Sequence, residues 1–190
     1  MIAPRPTYYV DGASIRTGAT FSPCGLYRYD LTREFDPSGP WLLAILCNPS
    51  TADAHKDDPT LRRMIDFAHG FSFPNLAVTN LWALRSTDPK GIVTAKVDPV
   101  GPDNRETIAR WLGKADQVVF GWGYSAKIGK RMLTRAWEVR RDIRDAFKDM
   151  TARGVTTPPC AHLGLTEGKE RQPRHPLMLR ADTAMTRIEP

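Results

Sequence analysis

The chain has 190 residues, of which 41% are hydrophobic and 25% are charged, a composition typical of one globular domain. No apolar run approaches the roughly 20 residues of a membrane-spanning helix, and the three cysteines show no Cys-x-x-Cys spacing. These features argue against a membrane protein, a disulfide framework and a four-cysteine zinc or iron–sulfur site. We predict a cytoplasmic protein without a cofactor; its net charge of +6 favours polyanionic partners such as nucleic acid, and its oligomeric state stays open.

Two strands are predicted in the first quarter of the chain. Residues 25–34 alternate in polarity and place Tyr27, Tyr29 and Leu31 on one side. This pattern predicts an edge or antiparallel strand with that side buried. Residues 41–47 are apolar throughout, as expected of a central strand that is covered on both faces.

A helix, a third strand and a long loop follow. Asp58 is placed to cap the helix, and Pro59 suits its first position. Apolar residues then recur at helical spacing as far as Phe71. Residues 75–80 predict a strand, and residues 82–102 a polar loop whose length suggests a function.

The second half of the chain repeats the alternation of helix and strand. A capping pattern at Asp103 opens a helix that leads into a strand over residues 117–121. A long helix is predicted over about residues 125–150, a short strand over residues 160–164, and a last short helix from Pro176.

This order predicts an α/β fold, a three-layer α/β/α sandwich with a mostly parallel central sheet. We treat residues 1–190 as a single domain, with residues 1–22 as an N-terminal arm or hairpin. Three apolar runs end in polar or glycine-rich turns, at residues 48–51, 80 and 121–123. Because ligands bind at the carboxyl ends of strands in such sheets, we expect these turns to build one pocket.

The first of these turns is Asn48-Pro49-Ser50-Thr51. Its amide and hydroxyl groups could position a water molecule or hold a small polar ligand. The alternative is ordinary turn chemistry, since the same residue types are common in turns.

Two carboxylates come directly after this turn. Asp53 and Asp57 are candidates for proton transfer or ligand binding, and a solvated loop is the competing interpretation. The surrounding residues lack the spacing of a recognised metal motif, so no metal site is predicted.

The remaining candidates lie at later strand ends and in the loops. Asn80 could pair with the edge of a nucleobase, or it could satisfy loop backbone. Arg85 could contact phosphate, or it could cap a turn. Trp122 could stack on a planar ligand beside Gly123, or it could pack under the sheet edge. His175 could donate to a developing negative charge, or it could be a surface histidine.

Several segments together resemble a known family. They are Asn48-Pro-Ser-Thr-Ala-Asp, Asp57-Asp58-Pro-Thr-Leu-Arg-Arg, Thr79-Asn80-Leu, Thr87-Asp88-Pro, Gly101-Pro-Asp-Asn, Gly121-Trp-Gly and Arg174-His-Pro-Leu. They resemble a bacterial and phage domain family of unknown function, number 1643, over about residues 23–181. That resemblance implies no activity.

The order of the strand-end motifs is also similar to that of the uracil-DNA glycosylase superfamily. The resemblance implies a glycosylase-like fold in which Asn48-Pro49 forms the water-activating turn. It further implies that Asn80 reads the base, that Val118–Gly123 is the apolar strand that ends in Trp-Gly, and that His175-Pro176 enters the minor groove.

The chain departs from that superfamily in several places. Asn48 stands where a carboxylate would be a stronger base, so turnover would be slow or would rely on activation of the leaving group. The aromatic wall of the base pocket is not evident after this turn, and Leu177 follows the His-Pro pair instead of a small serine-containing loop.

The resemblance implies a DNA glycosylase-like hydrolase that acts on a modified or damaged base in DNA or a nucleotide. Asn48, His175 and Asp53 are its candidate catalytic residues. The candidate phosphate contacts are Lys127, Lys130, Arg131, Arg171 and Arg174. Two alternatives remain: a non-catalytic nucleic-acid or nucleotide-binding module, and an unrelated small-molecule enzyme that uses Asp53, Asp57 and His175.

Overall fold

The computed structural model describes residues 15–190, which contribute seven strands to a single sheet with helices on both of its faces. The strands are β1 (Arg16–Phe21), β2 (Arg28–Glu34), β3 (Trp41–Leu46), β4 (Asn75–Asn80), β5 (Gln117–Phe120), β6 (Cys160–His162) and β7 (Thr186–Arg187). The helices are α1 (Pro59–Gly70), α2 (Lys90–Thr94), α3 (Asn104–Leu112) and α4 (Lys130–Ala152), with a 3-10 turn at Pro176–Met178.

The sheet is mixed, with the strand order β1-β2-β4-β3-β5-β6-β7. The four strands β4, β3, β5 and β6 run parallel to one another. The other three pairings, β1 with β2, β2 with β4 and β6 with β7, are antiparallel. The prediction of a mostly parallel sheet is therefore not confirmed, because an N-terminal hairpin and a two-residue C-terminal strand extend the parallel centre at both edges.

The sequence predicts an N-terminal arm over residues 1–22, of which residues 1–14 lie outside the described part of the chain. Its remaining part includes β1, which pairs with β2 as one strand of a hairpin. The antiparallel strand that the sequence predicts over residues 25–34 is confirmed as β2.

Two apolar clusters cover the sheet. On one face α1 packs Leu61, Met64 and Ala68 against β3 and β4. On the other face α3 and α4 pack against the same strands, with Trp111 and Val139 fully buried. These clusters define an α1 face and an α3/α4 face, and β3 is buried on both because it lies in the middle of the sheet.

The prediction of one buried side for β2 is wrong. Tyr27 and Tyr29 belong to the cluster on the α3/α4 face, whereas Leu31 belongs to the cluster on the α1 face. Both faces of β2 are covered because the strand lies inside the sheet, between β1 and β4.

A β-bulge in β2 explains the change of side. Thr20 pairs with Asp30 and Phe21 pairs with Arg28, so Tyr29 is an extra residue without a partner on β1. A bulge of this kind breaks the two-residue periodicity of a strand and redirects the side chains beyond it.

Helix boundaries follow the local chemistry of the chain. Asp58 caps α1 as predicted, because its Oδ1 accepts a hydrogen bond from the Leu61 N–H at 2.8 Å. The last long helix begins at Lys130, several residues later than predicted, after Gly129 with φ +61°. The loop over residues 82–102 contains the short helix α2. None of the helices in residues 15–190 is both long and apolar enough to cross a membrane.

Candidate functional site

Three parallel strands deliver their carboxyl ends to one cavity. β3 lies between β4 and β5, so the chain leaves β3 toward one neighbour and later returns to its other side. Such a switch point leaves a crevice beyond the strand ends, which is where open α/β sheets bind ligands. A cavity of about 350 Å³ occupies this position, and its walls include Asn48, Ser50, Asn80, Trp122, Gly123 and His175.

The turn after β3 holds the Asn48 amide in a defined orientation. Its Nδ2 donates hydrogen bonds to the carbonyl oxygens of Ser86, at 2.7 Å, and Pro49, at 3.1 Å. The Pro49 carbonyl also accepts a hydrogen bond from the Ser86 N–H. Within the described chain no group donates to Asn48 Oδ1, so this oxygen is available as an acceptor in the cavity wall.

Asn80 presents an unsatisfied amide at the end of β4. The residue is only 2% exposed, and its buried Oδ1 has no hydrogen-bond partner among residues 15–190. Its backbone carbonyl is engaged by Asn104 Nδ2 at 3.1 Å, which holds the strand end in place. A buried amide without a partner is costly, so a ligand that supplies the missing hydrogen bond gains affinity from it.

Trp122 lines the cavity but is anchored in the core. Its ring lies 5.0 Å from that of Phe120, and its Nε1 donates a hydrogen bond to Gln172 Oε1 at 2.9 Å. This arrangement agrees with packing under the sheet edge, and the exposed part of the indole forms a fixed wall of the cavity.

Gly123 lets the His-Pro segment approach the end of β5. Its φ is +70°, and a Cβ at this position would lie 3.0 Å from the Cβ of His175. The Gly123 N–H also donates to the Pro173 carbonyl at 2.8 Å. Glycine is required here because a side chain would meet both backbone strain and the neighbouring histidine.

His175 brings an imidazole to the cavity. Burial lowers the pKa of this side chain, and the negative charge of Asp58 opposes the shift only in part. The imidazole is therefore neutral near pH 7 and carries one donor and one acceptor. Such a group can donate to a ligand atom that gains negative charge.

The structure does not bring every predicted residue to the cavity. Asp53 Oδ1 accepts hydrogen bonds from two backbone N–H groups, both at 2.8 Å, and so closes a turn. Asp57 accepts two hydrogen bonds from Arg33, at 2.9 and 2.5 Å. The Thr51 side chain is exposed, and Arg85 lies over the Phe21 ring. None of these residues lines the cavity.

The predicted phosphate contacts are all exposed and also lie outside the cavity walls. Lys127 forms an ion pair with Asp88 at 3.1 Å, and Arg131 donates to the Val93 carbonyl. Lys130 begins α4, and Arg171 and Arg174 precede the His-Pro pair. Their role in binding nucleic acid stays a prediction.

Sequence reasoning missed two charged residues of the cavity, Arg28 and Asp58. Asp58 carried a recognisable signal as a helix cap, and its position beside the cavity follows from the placement of α1. The sequence signal at Arg28 was misleading, because strict alternation assigned this residue to the side of β2 opposite the predicted core. Among the described residues no group of three or more His, Cys, Asp or Glu side chains is placed to hold a metal ion.

A family model described as a protein of unknown function, DUF1643, matches residues 28–177. Comparisons with curated proteins and with solved structures gave no match. The likeness to the uracil-DNA glycosylase superfamily therefore rests on the strand-end motifs alone.

Proposed function

The chain belongs to this family of unknown function, and we propose that its cavity binds a nucleobase and hydrolyses the N-glycosidic bond of a modified or damaged base. The substrate is DNA or a nucleotide, and in duplex DNA the base has to leave the stack to enter the cavity. The proposal includes a glycosylase-like arrangement of the parallel strands β3, β4, β5 and β6.

One observation carries the proposal. Asn48, Asn80, Trp122 and His175 come from distant parts of the chain, and all four border one cavity. Its volume of about 350 Å³ accommodates a flat heterocycle. The neutral imidazole of His175 and the free amide oxygens of Asn48 and Asn80 suit the roles that the motif order implies.

Each side chain has a defined task in this proposal. Asn48 orients a water molecule through its free Oδ1, and Asn80 pairs with the base edge through its unsatisfied amide. Trp122 forms a wall against the base, and neutral His175 donates a hydrogen bond to the departing base as negative charge develops. The water oxygen bonds to the sugar carbon as the bond to the base breaks, and the proton that the water releases ends on the departing base. Asp53 receives no role, because its carboxylate is engaged in a turn.

Release of free base tests the hydrolase directly. We expect base release under single-turnover conditions from at least one member of a panel of single- and double-stranded oligonucleotides that carry uracil, hypoxanthine or other modified bases. Asn48→Ala should reduce the rate about 10- to 100-fold, while Thr134→Ala, an exposed change on α4, should leave it unchanged. A panel without base release by the wild type would refute the hydrolase.

A binding module without hydrolysis is the second candidate. It is favoured by the scarcity of carboxylates in the described cavity wall, where Asp58 is the only one and its Oδ1 is engaged as the cap of α1. An amide such as Asn48 orients water but does not take up its proton. The module predicts that the wild type binds base-containing ligands and leaves the glycosidic bond intact.

A further inference from the structure

Arg28 is a buried cation in the cavity wall with most of its hydrogen-bonding capacity unused. The residue is 4% exposed, and its Nη1 donates one hydrogen bond, to the Ala52 carbonyl at 2.7 Å. Its Nε is buried without a partner in the described chain. A guanidinium carries five N–H donors, so the observed contact satisfies a small part of it.

Two other buried arginines show what is missing at Arg28. Arg33, on the same strand, donates twice to the Asp57 carboxylate and once to the Asp53 carbonyl. Arg135 donates to Glu138 Oε2 at 3.0 Å. Both guanidinium groups are therefore neutralised by a carboxylate, as is usual for buried charges.

The β-bulge at Tyr29 separates Arg28 from a nearby carboxylate. Asp30 lies on the α3/α4 face, where its Oδ2 accepts a hydrogen bond from Trp111 Nε1 at 2.9 Å. Arg28 points to the opposite face, toward Ala52 and the cavity. The bulge therefore places the guanidinium in the cavity and keeps Asp30 away from it.

The second nearby carboxylate forms no ion pair with Arg28. Asp58 borders the same cavity and its Oδ1 caps α1, and its negative charge raises the pKa of Arg28 without offsetting the effect of burial. Burial is the main cause that lowers the pKa of Arg28, to about 10. The guanidinium therefore remains charged at neutral pH.

We propose that Arg28 binds an oxyanion of the ligand, so that the cavity selects molecules with a phosphate or carboxylate group over their neutral counterparts. The planar guanidinium matches two oxygens of such a group at once. The hydroxyl residues Ser50 and Thr60 border the same cavity, and Thr60 lies in the first turn of α1, where the helix favours negative charge. The proposal requires only that the cavity binds ligands, and it holds whether or not a glycosidic bond is cleaved.

Calorimetric titration of matched ligand pairs at constant ionic strength tests the proposal. Uridine 5′-monophosphate against uridine isolates the phosphate, and orotate against uracil isolates the carboxylate. We expect the wild type to bind the anionic member of at least one pair 10- to 100-fold more tightly. The pair that shows the preference identifies the source of the oxyanion.

Three variants assign the preference to Arg28. Arg28→Gln should remove the preference, and Arg28→Lys should retain part of it, because an ammonium keeps the charge but not the planar fork. Arg153→Gln is the matched control, since this exposed arginine pairs with Asp149 at the end of α4. Thermal unfolding of each variant establishes that it is folded, and Arg28→Met provides a second neutral variant if Arg28→Gln unfolds.

Three results would overturn the proposal: equal affinity within both pairs, no binding of any anionic ligand to the wild type, or a preference that survives in folded Arg28→Gln or Arg28→Met. The proposed hydrolase is judged separately by base release. An anion preference without base release would retain the role of Arg28 and remove the hydrolase.

Discussion

Replacing Arg28 with methionine should leave the protein at least about as stable as the wild type, although the arginine is buried in the wall of the cavity. Burial lowers its pKa to about 10, and this drop corresponds to roughly 3 kcal/mol by which the site disfavours the charged form. Because the folded pKa is the lower one, this cost is present in full below about pH 10 and disappears as the pH rises toward the ordinary pKa of an arginine side chain.

The substitution removes that cost together with one charge-assisted hydrogen bond, to Ala52, worth about 1.5–3 kcal/mol. The two contributions largely cancel, so the free energy of unfolding should rise by no more than about 1.5 kcal/mol. Arg33→Met is the matched comparison. It leaves Asp57 and two backbone carbonyls without their hydrogen-bond donor, and it should lower the free energy of unfolding by about 3 kcal/mol or more.

Urea unfolding monitored by tryptophan fluorescence at pH 7 measures both free energies. The expected result is a difference of at least about 2 kcal/mol between the two variants. If Arg28→Met lost as much stability as Arg33→Met, Arg28 would be a structural residue with its charge well compensated. Arg28 would then not be the unpaired cation that the proposed oxyanion site requires.

Three further predictions concern the rest of the site and the thiols. Gly123→Ala should lower stability by about 1–3 kcal/mol in thermal unfolding, because it forces a side chain into positive φ against His175; an unchanged melting temperature would contradict the close approach. The pKa of His175, measured by NMR titration, should lie below 6.5, so stability should fall as the pH drops from 6.5 through the lower folded pKa; a folded pKa at or above 6.5 would disagree. Exposed Cys24, whose pKa is lowered chiefly by a hydrogen bond with Ser22, should react with a thiol reagent in the native state. Burial raises the pKa of Cys47 and Cys160 to about 12 and should protect both thiols until the protein unfolds. Labelling of Cys47 or Cys160 before Cys24, detected by mass spectrometry of the labelled peptides, would contradict this expectation.

The sequence predicted the meeting of the strand ends because the signal is local and repeated. Each of β3, β4 and β5 is an apolar run that stops at a polar or glycine-rich turn, and parallel strands bring such turns to one edge. Asn48, Asn80 and Trp122 were therefore found without knowledge of the packing. The cap at Asp58 was found for the same reason, since its signal lies within four residues.

The missed features depend on contacts between distant segments. The bulge at Tyr29 is a property of the pairing of β2 with β1, and the alternation of polar and apolar residues in β2 does not predict it. Asp53 and Asp57 attracted attention as carboxylates near the first turn, but their partners, a turn and Arg33, appear only in three dimensions. The short β7 carries too few residues for any periodicity to be seen.

The position of His175 in the cavity wall has a consequence for how this protein is synthesised. Arg28 is synthesised early and His175 late, and both are walls of the same cavity. The site is complete only after residue 175 has left the ribosome, so no ligand can occupy the complete site while the preceding residues are being synthesised. Once the site has formed, a bound ligand joins segments that are far apart in the chain and should raise the resistance of the described domain to proteolysis.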